Sequence, residues 1–474
     1  MWFSFANSHR EMVQATLPSG ISEANTEQAI ERSREVHHRA FSVVALVVSV
    51  LTAIGAIAVF VGILHKLRRP LVSDFGDFYS AGRLVDMGRL SADYSLRSLE
   101  RTEGSLNHGH FLHLVFPYPP YVGAGMGLLA QLPVNAAFMV WTAINIGAFA
   151  LAGLVALSIL PTRLRVIGVL ALVGCVPLVI STAQGENSSL LTLGFTLALV
   201  ALIPDLAPRY VSDPQHRGWI IALAFLILAV KPLFLVVPLL LVCLRRRRID
   251  TIGCSAGLGG ALVIGLATGG LSGYENYAAL LRQGLHWTTQ YHWGPQFNYT
   301  IKASLQSFLG FGAATTFLWG VCAPALVGLV AVMYLSLRSE EALAAPSWMR
   351  WDIQYPGRGA EFLFVAAVAS LLLTNHALFH DLALVYPAAI VALATRLRWA
   401  ALLFLIAPWL DPGLYGAINM HVVVLACVAT VLLGTGLWIR DRQPDRRMVE
   451  QLKQDERATV WKLFARPPWG SASG

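Results

Sequence analysis

Charge is what this chain has least of. Only 13% of its 474 residues are Asp, Glu, Lys or Arg, against about 25% in an ordinary soluble globular domain. That scarcity excludes a water-soluble enzyme of the usual kind. The net charge of +8 is no nucleic-acid footprint, because the basic residues sit at the ends of apolar runs and form no stripe or patch. Cysteine is scarce too. Cys175, Cys243, Cys254, Cys322 and Cys427 all fall in or beside apolar runs. Without a disulfide framework or metal-ligand spacing, they read as packing thiols. Residues 1–40 lack the apolar core and small-residue cleavage site of a signal peptide and read as an unstructured cytoplasmic tail. The chain also has no Gly-rich phosphate loop and no Asp-x-Asp metal site of the kind that serves nucleotide sugars.

What the chain has is apolar length. Hydrophobic residues make up 56% of it and the mean hydropathy is +0.59. Apolar stretches near the roughly 18-residue length of a membrane span recur from Phe41 to Trp438. The expected fold is an all-α polytopic membrane protein with roughly 9–12 spans and a helical first outer loop. The cytoplasmic tail over 1–40 leads into a membrane domain over 41–438, and a second cytoplasmic tail covers 439–474, whose Trp461 and Phe464 suit a membrane surface. The segment 111–133 is broken by Pro117, Pro119 and Pro120 and reads as a short re-entrant or surface helix. Basic clusters at Arg163, Arg217, Arg245–Arg248, Arg396 and Arg440 fall on one side of such a layout, the cytoplasmic side by the positive-inside tendency. His65, Lys66, Arg68 and Arg69 oppose that assignment and are outvoted.

Polar residues gather on the other side. Asp74 and Asp77 are three apart and share a helical face. Beside apolar surface such a carboxylate serves as a general base; as a cap of the helix beginning there it serves only the backbone. Lys231 interrupts the apolar run AFLILAVKPLFLVV beside a helix-breaking Pro232. It either snorkels to the interface or holds an anion such as phosphate. Gln184, Glu186, Asn187 and Ser188 make a polar turn. His376, His380 and Asp381 interrupt apolar sequence with too little room for a long loop. Arg282, His292, Asn298 and several aromatics fill a loop suited to stacking on a sugar or enclosing a head group, and equally to an interfacial belt. No metal ligand set is read from these residues, and no cofactor.

These residues resemble glycosyltransferase family 87, membrane enzymes of the GT-C architecture that use polyprenyl-phosphate sugars. The resemblance is carried by Asp74-Phe75-x-x-Phe78-Tyr79-x-Ala81-Gly82, by Gly88 and Tyr94, and by Tyr118-Pro119-Pro120. It continues through Gly185-Glu186-Asn187-Ser188, Lys231-Pro232 and His380-Asp381-Leu382. The family's turn usually reads Gln where this chain has Glu186. The resemblance implies that Asp74 is the base, with Asp77 as second candidate. Lys231, Tyr118, Glu186, Asn187, Arg282, His292, Asn298, His376 and His380 are then the substrate-binding set. A sugar already on a lipid phosphate carries a good leaving group, so one base and cations for the departing phosphate suffice.

The expected activity is transfer of a mannose-like or arabinofuranose-like sugar from polyprenyl phosphate to a glycan or glycolipid acceptor. It takes place at the outer face of a bacterial inner membrane, with inversion. The rival class is a transporter or glycolipid flippase, which should show two related halves and broken helices at mid-membrane.

Overall fold

A computed structural model of the chain describes residues 23–63, 71, 73–88, 96–106, 116–203, 206, 213–283, 298–343, 357–374, 377–418 and 421–442. Every regular element among them is helical, as a bilayer requires, because a helix satisfies its own backbone polar groups where water is absent. The fold is that of an all-α polytopic membrane protein.

Helix α1 (Glu23–Ile63) is 41 residues long, about 60 Å. Residues 23–40 therefore continue the helix of the first span, contrary to the unstructured tail expected there. No Gly or Pro interrupts them, and Ala, Glu, Gln and Arg favour helix. An i,i+4 pair between Arg39 and Glu35 at 2.6 Å adds to this. The basic group at 65–69 and the surface-binding tail beyond 442 lie outside the described residues.

Three short helices follow: α2 (Asp74–Asp86), α3 (Leu96–Leu106) and α4 (Pro120–Leu129). Helix α4 spans only about 15 Å, a short helix where the proline pattern called for one. It packs closely on α2, because a Cβ on Gly82 would lie 2.4 Å from the Met126 carbonyl oxygen. The aromatic rings of Phe78, Phe116, Tyr118 and Trp141 form the core of this corner.

Then come α5 (Val134–Ile159), α6 (Thr162–Val173), α7 (Val176–Gln184), α8 (Ser188–Leu202) and α9 (Pro214–Leu228). The apolar run over 162–184 is thus two helices, parted where Gly174 and Cys175 precede Pro177. A 3-10 turn at Pro232–Leu235 leads into α10 (Val236–Arg245). Helix α11 (Arg248–Gln283) runs 36 residues with a kink at Gly270, so the stretch expected to be loop around Arg282 is helix. The chain continues through α12 (Ile301–Leu309), α13 (Ala313–Leu343), α14 (Arg358–Leu373), a 3-10 segment at Phe379–Val385 and α15 (Tyr386–Ala392). It closes with α16 (Arg398–Ile418) and α17 (Val422–Arg442). Among the described residues, six helical stretches are long and apolar enough to cross a membrane, with three shorter apolar ones beside them. Helix α14 lies at the centre, buried along nearly its whole length.

The bundle has two polar ends. Helix α8 runs from the 185–187 turn to Leu202, about 22 Å away, and α10 runs from the Lys231–Pro232 kink to Arg245. At the far ends of both, Arg245 donates to the carbonyls of Ala201 and Leu202, and Tyr334 also donates to Leu202. Arg396 pairs with Glu361 at 2.6 Å, and Arg398 lies over the Phe41 ring. This is the arginine end. The opposite end holds the carboxylates.

Candidate functional site

The carboxylate end is assembled from five separate stretches of chain. The first is the start of α2. Ser73 is its N-cap and Asp74 its first residue, so Asp74 is not the cap. Its carboxyl is hydrogen-bonded to Glu186 instead. The second is the turn between α7 and α8. Gly185 adopts a left-handed conformation (φ +71°), and a Cβ there would stand 2.5 Å from Phe75 Cβ. Glycine satisfies both demands at once. It lets the turn press against α2, and Trp141 Nε1 fixes it by donating to the Gly185 carbonyl at 2.6 Å. Glu186 is thereby carried to Asp74.

The third stretch supplies Tyr118, whose hydroxyl donates to Glu186 Oε2 at 3.2 Å, as does the Asn187 backbone N–H. The fourth is the kink where α9 ends, carrying Lys231. The fifth is the 3-10 segment after α14, carrying His380 and Asp381. Lys231 Nζ lies 2.8 Å from Asp381 Oδ1, which also accepts from Ser188 Oγ at 3.0 Å. Asp381 Oδ2 accepts from the Leu378 N–H at 3.0 Å. His380 Nε2 sits between the two acids, 3.7 Å from Glu186 Oε1 and 3.8 Å from Asp381 Oδ1.

The electrostatics follow from crowding. Burial, then the charge and hydrogen bond of Glu186, push the Asp74 carboxyl up to about 8, against the pull of Lys231. Burial also acts to raise Glu186, but His380 and Lys231 outweigh it and hold this acid below its ordinary value. Three acids, a lysine and a histidine thus share a site largely closed to water. Such a constellation can take a proton from a hydroxyl and offer donors to an anion. Lys231 has three N–H donors, of which Asp381 takes one.

The structure brings Asp74, Tyr118, Glu186, Lys231 and His380 into this one cluster, with Asn187 in the same turn. Asn187 is 1% exposed, and neither atom of its side-chain amide has a hydrogen-bond partner among the described residues. Other expected residues fall elsewhere. Asp77 is buried against Glu103 of α3, and burial and that acid push its carboxyl well above the usual range; it joins two helices of the corner. Arg282 is exposed in the last turn of α11, and among the described residues no ion pair joins it to the cluster. The helix that continues through the expected loop carries it to the surface. Asn298 is buried, and its Oδ1 accepts the Ala377 N–H at 2.9 Å. It pins the segment leading to His380 rather than lining the cluster. His292 and His376 lie outside the described residues.

The sequence reading left Asp381 and Ser188 without roles. Asp381 carried a usable signal: an ionisable residue inside an apolar run is a functional candidate by default, with a partner to be sought. What was missing was the partner, 150 residues away at Lys231.

Residues 116–351, about half of the chain, match the family model described as Glycosyltransferase family 87. No curated protein and no solved structure matches the chain. The matched stretch contains Tyr118, Glu186, Asn187 and Lys231; Asp74, His380 and Asp381 lie to either side of it.

Proposed function

Starting from a chain that belongs to glycosyltransferase family 87 and is a membrane glycosyltransferase, we propose that its donor is a sugar on polyprenyl phosphate. The sugar, mannose-like or arabinofuranose-like, passes to a hydroxyl of a glycan or glycolipid on the extracytoplasmic face of a bacterial inner membrane. The observation that carries this reading is the cluster in which half-buried Asp74 and Lys231 meet buried Glu186, His380 and Asp381. It holds a proton acceptor and cationic donors together, at the end of the bundle away from the arginines. The arginine end faces the cytoplasm by the positive-inside tendency, which turns the cluster outward.

In this reading the acceptor oxygen attacks the anomeric carbon as the carbon–oxygen bond to the lipid phosphate breaks. The bond's electrons leave with the phosphate, and single displacement inverts the anomeric centre. Asp74 receives the hydroxyl proton. Lys231 and His380 hold the phosphate as its negative charge grows, which lowers the barrier most where water is excluded.

The test is incubation of purified protein with a panel of lipid-phosphate sugars and an acceptor, reading release of lipid phosphate. Release dependent on both donor and acceptor is expected; activity only with nucleotide sugars would sink the donor assignment. Orientation is read separately, in a Cys243→Ala, Cys322→Ala background, because those two cysteines are exposed. A cysteine at Met87, itself exposed, should react with an impermeant thiol reagent in intact cells. One at Arg246 should not, and the reverse pattern would place the cluster in the cytoplasm.

A further inference from the structure

A base must be able to accept a proton, and Asp74 alone is poorly placed to do so. Two carboxyls in hydrogen-bond contact cannot both be ionised at ordinary cost, and Asp74 is in such contact with Glu186. The pair is nonetheless built with care. Glu186 Oε2 is fixed by the Tyr118 hydroxyl and the Asn187 N–H, both at 3.2 Å. The glycine before it exists in the conformation and with the clearance that bring the turn onto α2. In the same turn, the buried Asn187 amide has no hydrogen-bond partner among the described residues. Unsatisfied buried polar groups are costly and suit a hydroxyl-bearing ligand arriving there.

We propose that Asp74 and Glu186 form one base, holding a single proton between them at rest and taking the acceptor's hydroxyl proton as their second. This rests on the transferase reading above and deepens it. The acceptor O–H proton passes to Asp74 while the proton already shared moves onto Glu186. The acceptor oxygen forms its bond to the anomeric carbon, and the bond to phosphate breaks with its electrons on the phosphate. The pair goes from one proton to two, and the second returns to solvent between turnovers. Glu186 is therefore a proton-sharing partner of Asp74 more than a contact for the sugar. The groups facing the pair are Lys231 from the kink, His380 and Asp381 from the 3-10 segment, Tyr118 from the stretch before α4, Asp77 on α2 itself and Glu103 on α3.

The test is the pH dependence of kcat/KM in Glu186→Gln and Glu186→Asp. Gln keeps the shape and a hydrogen bond but leaves Asp74 as a lone carboxylate. The lone carboxyl titrates between the pair's two steps, so the acidic limb, set in the wild type by uptake of the second proton, should move to higher pH by about one unit or more. Asp keeps a second carboxyl and should leave the limb where the wild type has it. A Gln variant whose limb stays in place, or whose only change is a higher donor KM, overturns the shared base and makes Glu186 a binding residue.

Infrared titration gives a readout independent of turnover. In an Asp77→Asn background, which removes the other raised carboxyl, a protonated-carboxyl band at neutral pH should be lost in Asp74→Asn and shifted or weakened in Glu186→Gln, and a band unchanged by Glu186→Gln overturns the proposal. If the wild type transfers no sugar from any lipid phosphate, the donor reading fails, while the infrared result still decides the pair.

Discussion

The two ends of the bundle bury charge in opposite ways. At the arginine end one acid serves two bases. Asp250 Oδ1 lies 2.9 Å from Arg217 Nε, and Asp250 Oδ2 lies 3.3 Å from Arg245 Nε. Arg245 spends further N–H groups on the carbonyls that end α8. At the carboxylate end three acids face one lysine and one histidine, two of the acids touch, and His380 Nε2 makes no hydrogen bond among the described residues. At the first end two guanidiniums close on one acid, with Arg217 also donating to Asp250 Oδ2 at 3.0 Å, which is what a structural clamp between α8, α9, α10 and α11 needs. At the second end, charge and hydrogen-bonding capacity are left over. The difference separates buried charge that holds helices together from buried charge kept available for chemistry.

The largest expected effect breaks the comparison at the carboxylate end. Asp74→Asn keeps the side chain's size and removes its basicity, so kcat should fall roughly 10²–10⁴-fold with the folded fraction unchanged. Asp77→Asn, whose hydrogen bond is to Glu103 rather than to Glu186, should cost far less. Near-normal turnover in Asp74→Asn would take this residue out of the mechanism.

The converse belongs to the arginine end. Asp250→Asn leaves two buried guanidiniums facing a neutral amide, and breaking such a buried pair costs roughly 3–5 kcal/mol of stability. Denaturation should show that loss, while turnover per folded molecule stays as in the wild type. A clear fall in kcat would mean that the two ends are coupled and that the contrast drawn here is wrong.

A smaller effect separates the two duties of Lys231. Its ammonium neutralises Asp381 at 2.8 Å and, in the proposed reading, also meets the donor phosphate. Lys231→Met alone should both destabilise the fold and weaken donor binding. Adding Asp381→Asn should restore stability yet leave donor affinity about tenfold to a hundredfold weaker, as one charge-assisted contact of roughly 1.5–3 kcal/mol implies. Recovery of donor affinity in the double variant would reduce Lys231 to a partner of Asp381.

The last effect is a slope. In the folded protein Asp74 holds its proton up to about 8, whereas the ordinary value is 3.8. The folded state therefore binds the extra proton between those values. Stability from this group is full below about 4, declines as pH rises toward 8, and is level above that. Thermal stability should fall gently from pH 5 to pH 8, and less steeply in Asp74→Asn. An equal slope in both proteins would show that Asp74 is not the group binding that proton.

Much of the fold was legible in the chain because a bilayer asks for one thing that composition records directly, apolar length. The helices over 134–159, 188–202 and 422–442 stand close to where the apolar runs place them. Boundaries failed where apolarity is silent. Residues 23–40 are polar yet helical, and α11 runs past its apolar run to Gln283, because helix propensity needs no hydrophobicity. Of the site, the motif around Asp74, the polar turn at Glu186 and the lone Lys231 announced themselves as polar interruptions. Arg282 and Asn298 announced themselves in the same way and proved to lie outside the cluster, since an interruption says nothing of which way a side chain turns.

The sequence alone determined that this is a helical membrane protein with the residue patterns of a glycosyltransferase family, because hydropathy and short motifs are properties of neighbours in the chain. Pairing was decided by the tertiary structure alone. Ser188 and Lys231 meet Asp381 across 193 and 150 residues, Tyr118 meets Glu186 across 68, and Arg217 meets Asp250 across 33. Whether a buried acid is closed on by cations or left with a proton to share depends on distances of about 3 Å between such partners. Only the packing of the helices sets those distances.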